Sequence, residues 1–167
     1  MLTIEKKSLR VGRYVDTQHV SSGIKNYKQE RWAQNSERIG KEDSMSVWYS
    51  IEEMEEFLAT AKENGANGVR MYFGVYSNDY KATPEYQNRQ TIMMVASKAK
   101  RTEKGLESRD VYVGTETGST ILAYNAGSIC PPFNCPPGGK GGGIADADDW
   151  GVGNTLIDCG DQGVLIV

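Results

Sequence analysis

The chain has 167 residues, 38% apolar and 25% charged, with both signs of charge mixed to a net −3. That length suits one domain with its own core, and the composition excludes wholesale disorder. The mixed charge gives no global electrostatic reason to bind nucleic acid or an anionic membrane surface. No run of about 18 apolar residues is present, so no membrane-spanning helix is expected. The first residues, Met1-Leu2-Thr3-Ile4-Glu5-Lys6-Lys7, lack the apolar region of a secretory signal, and the expected compartment is cytoplasmic. Three cysteines (Cys130, Cys135 and Cys159) are then expected as thiols, and their odd number argues against a disulfide framework.

Val20, Ile24, Tyr27 and Arg31 have helical spacing, which predicts a first helix around 18–34. Val47-Trp48-Tyr49 reads as a short strand. The strongest local pattern follows. Ser50 and Glu53 form a capping-box pair, and Tyr49 and Met54 stand at the positions of a hydrophobic staple. Ile51, Met54, Phe57, Leu58 and Ala61 then recur on one side, and Asn64-Gly65 closes the segment. A helix over about 51–64 is predicted.

From Val69 to Tyr76 the period changes to two. Val69, Met71, Phe73 and Val75 share one face, and Arg70, Tyr72 and Tyr76 share the other. Residues 77–90 read as a connection, and Thr91–Ser97, apolar on both faces, as a central strand that can pair antiparallel with 69–76. The charged stretch Lys98–Arg109 reads as a solvated loop, and Val111-Tyr112-Val113 and Ser119–Tyr124 as weaker strands. The fold class is therefore α+β: a small, mainly antiparallel sheet packed by about two helices.

After Asn125 the composition shifts. Ten of the 19 glycines and four of the five prolines fall in 126–167. The chain divides on this basis into a core domain, 1–125, and a Gly/Pro-rich extension, 126–167. The extension ends in the apolar run Gly163–Val167, expected to dock as a last strand on the same domain or on a neighbour.

Candidate chemistry is scattered. Arg70, Tyr72 and Tyr76 are of the types that dominate binding surfaces, although an amphipathic outer face of an antiparallel sheet is the better account of them. Arg70 is also suited to a small carboxylate or phosphate ligand. Asp146, Asp148 and Asp149 before Gly151 partly match a calcium loop. Trp150 and Ile157 occupy two ligand positions, so calcium or magnesium is an alternative and no cofactor is predicted. Cys130-Pro131-Pro132-Phe133-Asn134-Cys135 is open to three readings: a turn with unreactive thiols, a conditional disulfide, or, with Cys159 and His19, a metal site. Lys140 in the glycine run lacks the following Ser or Thr of a phosphate loop. Lys98, Lys100, Arg101 and Lys104 have no interleaved aromatics, so no nucleic-acid partner is expected.

The segments Val47-Trp48-Tyr49-Ser50, Asn67-Gly68-Val69-Arg70-Met71-Tyr72-Phe73-Gly74 and Cys130-Pro131-Pro132 together resemble a family of small uncharacterised bacterial proteins. In that family a Gly-apolar-Arg-apolar-Tyr-Phe strand is followed by a Cys-Pro-Pro turn. The resemblance covers roughly residues 20–135. It implies that the helix, the Arg70 strand and the Cys-Pro-Pro turn form one structural unit, and it carries no activity. With one histidine, no nucleophile motif and no cofactor loop, the leading expectation is a non-enzymatic interaction or structural protein that associates with itself or another protein. A metal-dependent enzyme or metal-binding module is the rival.

Overall fold

The computed structural model describes residues 9–133, residue 135, and strands at Leu156–Asp158 and Val164–Ile166. The fold is α+β with antiparallel sheets.

The chain enters through a helical arm. Helix α1 spans Thr17–Tyr27, a π-helical segment spans Lys28–Trp32, and α2 spans Ala33–Ile39. Helical structure thus runs further than the predicted 18–34, because nothing in Ala33–Ile39 breaks it before Gly40, which adopts a left-handed φ of 70°. Asp16 caps α1 by accepting from the His19 amide at 2.8 Å. No residue of α1, the π segment or α2 is buried. The arm is instead tied down by polar bonds. Tyr27 donates to the Ser44 carbonyl, Trp32 Nε1 donates to the Asp43 carbonyl at 2.7 Å, and the Asp43 amide donates to Ser36 Oγ at 2.9 Å.

Strand β1, Ser46–Trp48, leads into helix α3, Ile51–Glu63. The predicted capping box is present in full. Ser50 Oγ accepts from the Glu53 amide at 3.1 Å, and the Glu53 carboxylate accepts from the Ser50 amide at 2.8 Å. After the helix, Gly65 takes a φ of 80°, where a Cβ would be strained. The Glu53 carboxyl is held below its ordinary pKa, first by the Ser50 amide, then by the Ser50 hydroxyl and Tyr124. A depressed carboxylate pKa contributes stability that is complete above the ordinary value and is lost as pH falls through the folded-state value. Stability is therefore expected to drop below about pH 4.5. Glu53→Gln should flatten that part of the pH profile, as measured by urea unfolding between pH 3 and 6; an unchanged slope would show that the box does not carry the linkage.

Helix α3 packs on a sheet ordered β2-β3-β4, with β2 at Gly68–Val75, β3 at Gln90–Thr102 and β4 at Gly105–Asp110. The short β7, Ala123–Tyr124, also pairs with β3. β2 and β3 pair antiparallel from Gly68 opposite Ser97 to Val75 opposite Gln90, through the long connection expected from the sequence. Phe57 and Ala61 of α3 bury against Met94 and Ala96 of β3, with Val69 and Tyr124 at the margin. Two further strands, β5 (Tyr112–Thr115) and β6 (Gly118–Ile121), form a hairpin.

One expectation is corrected. Lys98–Arg109 is not a loop: it holds the end of β3 and all but the last residue of β4, within a ladder paired from Ser97–Asp110 to Thr102–Gly105. Its strand character was hidden because both faces are polar, so no apolar alternation marks it. Past the composition boundary at 125 the chain still packs on the preceding elements. Strand β8, Ser128–Cys130, pairs with β1, and Ile129 is fully buried among Tyr76, Tyr86, Val47 and Tyr80. Gly127 is required there, since a Cβ would stand 2.5 Å from the Tyr49 ring. Cys130 and Cys135 stand with their Cα atoms 6.2 Å apart in the turn that follows β8, a separation a disulfide spans, and both sulfurs lie against the Ser128 carbonyl.

The last two strands, β9 (Leu156–Asp158) and β10 (Val164–Ile166), pair antiparallel with each other. Asp146, Asp148, Asp149 and Cys159 lie outside the described residues. Among the described residues no helix is long and apolar enough to cross a membrane.

Candidate functional site

The geometry singles out β2, the edge strand of the main sheet. Its alternation predicts two faces, and the structure distributes them unexpectedly. Met71, Phe73 and Val75 are 57%, 80% and 60% exposed. Val69 on the same face is half-buried, because α3 covers only the end of the sheet where Val69 lies opposite Ala96. Beyond that footprint the apolar stripe stands in solvent. Two-residue periodicity told which residues share a face. It did not tell how far along that face the helix reaches, and so the exposed stripe was missed.

The opposite face of β2 carries Arg70 and Tyr72, both half-buried. Arg70 Nη1 donates to the Tyr72 hydroxyl at 2.8 Å and to Asp110 Oδ1 at 3.3 Å, and Nη2 donates to the Ser108 carbonyl at 3.3 Å. Tyr72 in turn donates to Asp110 Oδ2 at 3.2 Å. The hydrogen bond that Arg70 donates to Tyr72 first, with Asp110 adding to it, shifts the Arg70 pKa upward. Most of the guanidinium's donor directions are thus turned toward its own sheet, and Asp110, which sequence reasoning did not single out, is the acceptor that turns them. An external carboxylate or phosphate at Arg70 would have to compete with that neighbour.

Tyr76 is not joined to this pair. It is buried in a cluster with Tyr80 and Tyr86, at ring-centroid distances of 4.6 and 5.1 Å. Its hydroxyl donates to Asn125 and accepts from Thr91, both at 3.3 Å. Burial raises its pKa, partly offset by the hydrogen bond with Thr91. The structure therefore brings Arg70 and Tyr72 together and assigns Tyr76 to the packing around Ile129.

A cleft of about 380 Å³ lies between the end of α3 and the β3–β4 ladder, lined among others by Asn64, Lys98, Lys100, Glu107 and Arg109. Glu107 is engaged by Arg109 at 3.6 Å and by Thr102 at 3.3 Å. The basic run noted in the sequence is thus partly a strand face. His19 sits in the exposed first turn of α1. Among the described residues no three His, Cys, Asp or Glu side chains converge as a metal site requires.

No protein-family model, curated protein or solved structure matches the chain.

Proposed function

We propose that the chain is a non-enzymatic interaction protein that associates with itself, with β2 as the receiving edge and the C-terminal strands as the donor. The observation that carries this reading is the exposed stripe of Met71, Phe73 and Val75 on a sheet edge. Edge strands of soluble proteins are ordinarily blunted by lysines, prolines, bulges or shortness. β2 has eight residues, no proline, and a single charge that is turned toward Asp110. Such an edge accepts an added strand through its backbone, and its apolar side chains reward the match. β9 and β10 have an apolar sequence, and a two-stranded ladder of this kind is marginal without further pairing.

Burying one phenylalanine is worth about 1.5–3 kcal/mol, which corresponds to roughly 10- to 100-fold in affinity. Phe73→Lys is therefore expected to weaken self-association by at least tenfold, read by light scattering across a concentration series, with the fold retained because the side chain is already exposed. A native chain that stays monomeric at high concentration would remove the reading altogether.

A further inference from the structure

The arm that precedes the sheet has unsatisfied surface of its own. Val11 and Tyr14 are fully exposed, and Leu9, Val15 and Val20 are 42%, 49% and 44% exposed. Val20 and Ile24 lie one turn apart on α1, on the same side as Tyr27. Tyr27 and Trp32 anchor the later half of the arm to Ser44 and Asp43, while ahead of them Val20 is exposed and Ile24 half-buried. The arm is also basic: residues 9–31 hold five Lys or Arg against one Asp and one Glu.

Helix α3 is the complement. It carries five glutamates against one lysine. Phe57, Ala61 and Met54 turn toward the sheet. Its exposed arc presents Glu55, Glu56 and Glu63, bordered by the exposed apolar Ile51 and Leu58. The two elements match in length, since 11 and 13 helical residues span about 16 and 20 Å. Within one chain Arg13, Val20 and Lys25 on the arm and Glu55, Glu56 and Glu63 on α3 are all exposed.

We infer that the basic N-terminal arm of one copy lies along the acidic outer face of α3 in a second copy. This deepens the self-association reading and rests on it. The contact is reciprocal: each copy gives an arm and receives one, which closes a two-fold dimer. Val20 meets Ile51 and Leu58, and the cations around Arg13 and Lys25 meet Glu55, Glu56 and Glu63. Opposite charge at the margin fixes the pairing and its orientation more than its strength.

Charge reversal in the full chain tests this. One variant carries Arg13→Glu and Lys25→Glu; the other carries Glu55→Lys, Glu56→Lys and Glu63→Lys, which leaves the Ser50–Glu53 box intact. Each variant alone should dimerise at least about tenfold more weakly than the native chain, because every pair becomes repulsive. Mixing the two should restore a heterodimer of near-native affinity, read by sedimentation. Independently, the native dimer should weaken as salt rises from about 0.1 to 1 M, where the screening length falls from about 10 to 3 Å. If the native chain dimerises but is indifferent to salt, or if either reversal leaves its affinity unchanged, the arm contact is wrong and self-association stands. If mixing folded variants fails to restore the dimer, the pairing of these two surfaces is wrong. A native chain that is monomeric under all conditions overturns both.

Discussion

Asp43→Ala should destabilise the fold by about 3–5 kcal/mol, measured by urea unfolding. Asp43 is buried, and its Oδ1 accepts from the Ser44 amide at 2.8 Å and from the Gln90 amide at 2.6 Å. Alanine leaves both amides without that acceptor, and each buried donor so stranded costs about 1–3 kcal/mol. A third group is affected. Arg89 is only 7% exposed, and burial pushes its pKa down, opposed first by Asp43 and then by Glu42. Its Nε donates to the Glu85 carbonyl at 2.8 Å, while Nη1 has no hydrogen-bond partner among the described protein atoms. Removing the Asp43 charge leaves this guanidinium less well compensated. Asp43→Asn separates the effects: the amide oxygen can still accept from both backbone groups, but the charge is gone, so roughly half the loss is expected. Because Asp43 also joins the Trp32 and Ser36 bonds to the start of β3, the alanine variant should speed hydrogen exchange at Gln90 and loosen the arm together. A loss below about 1 kcal/mol for Asp43→Ala would show that the arm and the sheet are not coupled through this residue.

Nothing in the sequence marks Asp43, and the reason is physical. Its partners lie one and 47 positions away, so its role exists only after the arm and β3 have come together. The elements that were legible are those whose causes are local. The α3 start is set by Ser50 and Glu53 reaching each other's backbone three residues apart, and those atoms meet as predicted. Thr91–Ser97 is apolar on both faces because both faces of β3 are covered there, the consecutive Met94, Val95 and Ala96 all being buried, and this too reads directly from the pattern. The β4 strand failed for the converse reason: Lys98 opposite Arg109 and Lys100 opposite Glu107 place charge on solvated ladder positions that composition alone assigns to a loop. The candidate site was half legible. Arg70 and Tyr72 were picked out and do meet, but their acceptor Asp110 lies 40 positions from Arg70 and across two strand pairings. The exposure of Phe73 depends on where α3 stops, which no periodicity in β2 contains.

Ile129→Ala should cost about 2–5 kcal/mol, the range for deleting three buried methyl-bearing carbons where the surroundings collapse only partly. Ile129 is 0% exposed, and the Tyr76 and Tyr86 rings that enclose it are themselves pinned. Tyr86 donates to the Gly127 carbonyl at 3.1 Å, Tyr76 bonds with Asn125 and Thr91, and Phe133 stacks 5.7 Å from Tyr86. Rings held at their hydroxyl ends cannot slide far into a void, which places the expected cost in the upper half of the range. Ile129→Val removes one methylene and should cost only about 0.5–1.5 kcal/mol. The ratio between the two variants distinguishes a cavity from a general loss of β8 pairing, which both would share. The prediction also decides where the domain ends. If alanine at this position costs less than about 1 kcal/mol, residues 126–133 are an appendage, as composition suggests. If it costs what the packing implies, β8 and the Cys130–Cys135 turn belong to the core, and the C-terminal strands depart from a rigid anchor beside β1 rather than from a loose tail.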